Sequence, residues 1–256
     1  MAFATTNDSQ EIYYEVHGGT GPTLVLVSGY MGIANLWQPL IARLITKYRC
    51  IAYDIRGYGR SSKPESQDAY SIPQQAADLD AVLKAAKINE PVVLVTHSMG
   101  GNIASAYYLM NPTNVSKIIY TATYYDGKIA GQFLPYEALT GGADVPSKCV
   151  DFYASMGLDR SIAVEAAKWP AYGRRHNASC LLAFEIGDGY RRITVPTVIV
   201  HGEKDLAVPV EHCVQPMIDA LPNSRLVVFQ GAGHFPPTEA PEELERLIDS
   251  FVGASN

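Results

Sequence analysis

The chain has 256 residues, 47% of them hydrophobic and 18% charged, and a formal net charge of −6. That length and balance suit one large folded core and exclude a disordered chain. Acidic and basic residues are interspersed, so neither nucleic acid nor a membrane surface is expected as a partner. No apolar run approaches the roughly 20 residues needed to cross a bilayer. The first ten residues, MAFATTNDSQ, lack the basic and apolar regions of a secretory signal, and a cytoplasmic location is the expectation. Cys50, Cys149, Cys180 and Cys213 are scattered without C-x-x-C spacing, which points to buried free thiols rather than disulfides or a metal site. Asn7-Asp8-Ser9, Asn114-Val115-Ser116 and Asn177-Ala178-Ser179 fit the N-glycosylation pattern, which is common by chance.

In chain order, 11–16 and 23–28 read as strands, the second a continuous apolar run, followed by an amphipathic helix over 35–47. A strand over 49–55 leads through a Gly-rich loop to a helix over 72–87. A strand over 91–97, a helix over 99–110 and a strand over 117–123 complete this half. After a gap the alternation resumes with a strand at 194–202, a helix at 210–220, a strand at 225–231 and a helix at 241–251. Short Val/Ile/Leu runs alternating with helices predict a parallel sheet covered on both faces. Such sheets bind ligands beyond the C-terminal ends of their strands, so reactive residues are expected immediately after strands.

Residues 124–192 lack buried strands and carry helix-compatible pieces broken by Gly and Pro. They are read as a helical lid inserted between two sheet strands, with 1–123 and 193–256 forming the core domain. The aromatic residues of this region are expected mainly to pack the lid, with some lining an apolar pocket. Tyr30, Tyr124, Phe133, Tyr153 and Trp169 are the candidate substrate contacts.

The strongest local signal is Val95-Thr96-His97-Ser98-Met99-Gly100-Gly101, between a strand and a helix. A serine on a sharp strand-to-helix turn projects its hydroxyl above the sheet edge, against the free N–H groups of the helix start. Gly100 is the small residue needed two positions after the serine, but Thr96 replaces the usual glycine two before it. The bland alternative for Ser98 is a helix cap. A nucleophilic serine needs a base. His234, in Gly231-Ala232-Gly233-His234 after the last strand, is better placed than the other five histidines. The base needs an acid on its second nitrogen. Asp205 follows the strand ending near His201, giving the chain order Ser98, Asp205, His234. Asp126, after the strand at 117–123, is the rival acid. The oxyanion of acyl transfer needs two N–H donors. Met99 is the first, and Tyr30, in the loop Ser28-Gly29-Tyr30-Met31-Gly32, is the second.

With these motifs the chain resembles the α/β-hydrolase family nearly end to end. Tyr53-Asp54-Ile55-Arg56-Gly57-Tyr58-Gly59-Arg60-Ser61-Ser62 is similar to the family's D-x-R-G-x-G-x-S loop. So are the acid-strand segment 195–205 and Gly233-His234 followed by Glu239-Ala240-Pro241-Glu242-Glu243. The resemblance implies an α/β fold with a mostly parallel, largely eight-stranded doubly wound sheet. It further implies a small-molecule substrate and no metal or organic cofactor. The implied activity is a serine hydrolase for a moderately apolar ester or lactone, with an acyl-enzyme on Ser98. The same triad could serve carbon–carbon bond hydrolysis or a lyase, or persist in a small-molecule receptor. The oligomeric state is not encoded in these patterns.

Overall fold

A computed structural model describes residues 2–253. Eight strands form one sheet: β1 (Ala2–Thr5), β2 (Glu11–Gly18), β3 (Thr23–Val27), β4 (Arg49–Tyr53), β5 (Val92–His97), β6 (Val115–Thr121), β7 (Thr197–Gly202) and β8 (Ser224–Phe229). Their spatial order is β1-β2-β4-β3-β5-β6-β7-β8. β2 pairs antiparallel with β1 and with β4, and every other pairing is parallel. Every residue of β3, β5 and β7 is buried, as continuous apolar runs in the middle of a covered parallel sheet require. β1 is the strand that apolar patterning did not announce: four residues at a sheet edge carry too little period to read.

The helices of the first half are α1 (Gln38–Leu44), α2 (Ile72–Ala85) and α3 (Met99–Met110). From β3 the chain steps one way to β4, then back across β3 to β5 and onward. Right-handed crossovers therefore put α1 on one face and α2 and α3 on the other. Ser71 starts α2 by accepting the N–H of Gln74, and a proline follows in the first turn. Five short helices lie between β6 and β7: α4 (Gly127–Ala130), α5 (Tyr136–Thr140), α6 (Pro146–Ser155), α7 (Arg160–Ala166) and α8 (Ala171–Leu182). After β7 come α9 (Gln215–Ala220), α10 (Pro236–Glu239) and α11 (Pro241–Gly253), with α11 packed beside α1. The expected helix over 210–220 is divided: Val210–Val214 form a wider π-type turn before α9 begins. Pro216 explains this, because it has no N–H to continue an α-helical ladder through that point.

The loop after β4 ties the sheet to the insertion. Asp54 accepts the N–H of Ala34 at 2.7 Å and that of Arg60 at 2.8 Å. Arg56 is fully buried, its guanidinium bound by Asp78 at 2.5 and 2.6 Å and by Asp8 at 2.8 Å. Asn177 of α8 donates to the Arg56 carbonyl at 3.1 Å. All four cysteines are buried and unpaired. No helix among the described residues is long and apolar enough to cross a membrane. Arg56→Met should leave the buried Asp78 carboxylate without its counter-charge. Urea unfolding is expected to register a loss of about 3–5 kcal/mol, whereas an unchanged midpoint would show that the pair is replaceable.

Candidate active site

Ser98 joins β5 to α3 with φ 52° and ψ −122°, a conformation that L-residues rarely adopt and that costs about 1–3 kcal/mol. The surroundings hold it there. The Ser98 N–H donates to the Thr121 carbonyl at 2.9 Å, and the N–H of Gly101 donates to the Ser98 carbonyl at 2.9 Å. A methyl group on Gly100 would fall 2.2 Å from the Val27 carbonyl oxygen, so only glycine lets α3 come this close to β3. Thr96 is accommodated despite its β-branch. It is fully buried, and its carbonyl accepts the Thr121 hydroxyl at 2.7 Å.

His234 and Asp205 are brought together from the loops after β8 and β7. Nδ1 of His234 lies 2.8 Å from Oδ2 of Asp205, and both side chains are almost wholly buried. The other carboxylate oxygen accepts the N–H groups of Ala207 at 3.0 Å and Val208 at 3.2 Å. Burial by itself would raise the Asp205 carboxyl. The charge and hydrogen bond of His234, aided by His201 and the Val208 amide, outweigh it and hold the group below the usual carboxylate range. Asp126, the rival acid, caps α4 instead, accepting the N–H of Ile129 at 2.7 Å. Ser98 and His234 line one pocket without a hydrogen bond between them, a looseness common before substrate is bound.

The backbone around His234 is held from three sides. Its N–H donates to the Met156 carbonyl at 3.3 Å, just past α6. Its carbonyl lies 2.8 Å from Nε2 of His97. The Glu239 carboxylate accepts the flanking N–H groups of Gly233 at 3.1 Å and Phe235 at 2.7 Å. Burial, reinforced by the neighbouring His234, pushes His97 down to about 3, so its ring stays neutral. Sequence reasoning passed over His97, Glu239 and His201 as site supports. The signal for Glu239 is its place in the family-like segment that follows Gly233-His234, at the end of α10.

The loop after β3 closes against the serine turn. A methyl group on Gly29 would lie 2.6 Å from the His97 carbonyl, 2.9 Å from Cβ of Ser98 and 3.1 Å from the Met99 nitrogen. Among the described residues, neither the Tyr30 nor the Met99 N–H is taken by an acceptor. Ser28 supports this loop by accepting the Trp37 indole N–H at 2.9 Å and donating to the Ile33 carbonyl at 3.3 Å.

Ser98 opens onto one small pocket with closely spaced walls. Ser98, His97 and His234 form its polar end, and Leu134, Leu139, Phe152, Met156 and Phe235 much of its apolar wall. Of the candidate substrate contacts, Tyr30, Tyr124 and Tyr153 line it, while Phe133 and Trp169 do not. Phe133 stacks on His212 at 5.4 Å, and Trp169 lies under the Lys63 ammonium at 4.7 Å. Both lie in turns between the helices of the insertion, where no helical period sets the side-chain direction, and they face packing partners instead of the cavity.

A family model described as "alpha/beta hydrolase fold" matches residues 22–139. A non-heme haloperoxidase of Rhodococcus erythropolis is 27% identical over 277 residues, covering 98% of this chain and 99% of its own. Among solved structures, the esterase EaEST from Exiguobacterium antarcticum superposes with a TM-score of 0.87 at 27% identity, covering 99% of both chains. Est816, described as an N-acyl homoserine lactone degrading enzyme, superposes with a TM-score of 0.79 at 26% identity, covering 98% of this chain and 100% of its own.

Gly29→Ala should crowd the Met99 N–H, one of the two untaken donors at the serine turn. Turnover of a p-nitrophenyl ester is expected to fall roughly 10²-fold with the fold kept, as circular dichroism would report. A variant with unimpaired turnover would show that this N–H does not meet the reacting group.

Proposed function

The chain belongs to the α/β-hydrolase superfamily, and from that premise we propose that it is a serine hydrolase of small, moderately apolar carboxylic esters or lactones. The observation that carries this reading is the 2.8 Å pairing of His234 with the buried Asp205, at a pocket whose wall also holds Ser98 on its strained turn. A buried carboxylate on the far nitrogen fixes the histidine tautomer and stabilises the charged ring formed when the histidine takes the serine proton. The esterase EaEST and the lactone-degrading Est816, each above 25% identity, support the choice of ester and lactone substrates.

In the proposed reaction Ser98 attacks the substrate carbonyl while Nε2 of His234 takes its proton. The tetrahedral oxyanion is received by the N–H groups of Met99 and Tyr30. His234 then protonates the leaving alcohol, and an acyl group remains on Ser98. Water, deprotonated by the same histidine, releases the acid and regenerates the enzyme. The insertion carrying α4 to α8 is assigned as a cap over residues 124–192, supplying the apolar wall that shields the acyl group from bulk water.

The test is turnover of p-nitrophenyl esters of increasing chain length and of aromatic lactones by wild type and Ser98→Ala. Ser98→Ala is expected to lower kcat by roughly 10⁴-fold or more. Near-normal turnover by that variant would remove Ser98 as nucleophile, and ketone or aldehyde products would favour the carbon–carbon or lyase chemistry. Asp205→Asn should likewise suppress turnover, by roughly 10⁴-fold, whereas Asp126→Asn should leave kcat within about two-fold of wild type, as expected for surface capping. Loss confined to the Asp126 variant would reassign the acid.

A further inference from the structure

One ionisable side chain that the reaction does not use is sealed against the groups it does use. His201 lies at the end of β7, four residues before Asp205, with no exposed surface. Its Nε2 is 3.4 Å from Oδ2 of Asp205, the oxygen that His234 holds at 2.8 Å. Neither ring nitrogen of His201 makes a well-formed hydrogen bond among the described residues. A buried polar ring with no settled partner is uncommon and costs stability, so its position beside the acid calls for a physical reason.

The groups facing His201 are few. Asp205 comes from the loop after β7 and His234 from the loop after β8, and the Val208 backbone lies near the ring without hydrogen-bonding it. Cys213 faces Asp205 from the turn before α9; burial pushes its thiol up to about 12, so it stays uncharged. Burial holds His201 itself below the usual histidine range, against the pull of Asp205. A neutral imidazole has one N–H to offer. Between an ionised carboxylate and a neutral carbonyl, the carboxylate is the stronger acceptor, which places that hydrogen on Nε2.

We propose that His201 is a positioning residue that shares Oδ2 of Asp205 with His234 and so restrains how strongly this carboxylate favours the charged form of His234. The proposal rests on the triad reading above. Nε2 lies 3.4 Å from Oδ2 without hydrogen-bonding geometry, so the N–H dipole of the neutral ring acts on the carboxylate through space and offsets part of its pull on the His234 proton. Removing it leaves Oδ2 to His234 alone. The charged ring is then stabilised further, and the base loses its proton only at higher pH.

The test compares the kcat/KM pH profiles of wild type, His201→Phe and His201→Gln on one ester. His201→Phe keeps a flat ring without a donor, and its acidic limb is expected to move to higher pH by roughly half a unit or more. His201→Gln restores an N–H donor and should return the limb toward wild type. Coincident limbs in wild type and His201→Phe would overturn the proposal, because simple loss of packing lowers the whole profile without moving it. Should the phenylalanine variant not fold, ring-nitrogen NMR of ¹⁵N-histidine-labelled wild type decides. His201 is expected in the Nε2–H form at neutral pH, and the Nδ1–H form would overturn the proposal. That spectrum needs no turnover, whereas failure of the serine-hydrolase reading shows separately, as activity retained by Ser98→Ala.

Discussion

The bend of the main chain at Ser98 is the constraint on which the rest of the site depends. A positive φ at a residue with a side chain is unfavourable, and it persists because the neighbouring backbone leaves no alternative. The same closeness that enforces it sets the positions of other groups. Gly100 lets α3 meet β3, and Gly29 lets the loop after β3 lie against the bend. The untaken N–H groups of Met99 and Tyr30 follow from that contact. Thr96 departs from the expected small residue and the turn forms nevertheless. The close approaches that need glycine are therefore those after the serine and in the facing loop.

A second layer of order surrounds the histidine. Asp205 is buried with its charge, which only a full set of donors makes tolerable. Its two oxygens meet two backbone N–H groups and His234, with the His201 ring packed alongside at 3.4 Å. His234 is in turn fixed through its backbone by His97, Glu239 and Met156. A ring held in this way loses little orientational freedom when a proton is transferred, which is how a preorganised site gains over water.

Much of the architecture was legible because a buried parallel strand writes itself as a largely apolar run, and the candidate reactive residues fall just after such runs. β3, β5 and β7 are of this kind, and Ser98 and Asp205 sit directly beyond two of them. What stayed hidden has physical reasons. β1 is four residues at an edge, too short for a period. The division of the 210–220 helix turns on Pro216, whose missing N–H outweighs an otherwise helical pattern. Phe133 and Trp169 lie in the turns between short helices, where no periodic pattern says which neighbour a ring will meet. The supports of His234 lie far from it along the chain or act through backbone atoms, which side-chain patterns do not display.

The hydrogen bond from the His234 N–H to the Met156 carbonyl ties the histidine to the helical insertion, and Met156 also forms part of the pocket wall. On the proposed serine-hydrolase reading, an acyl group that pushed this wall outward would strain the seat of the histidine. Bulk would then be felt at the histidine itself and not only by the cavity, and discrimination by size would fall on the speed of the proposed chemical step as well as on affinity.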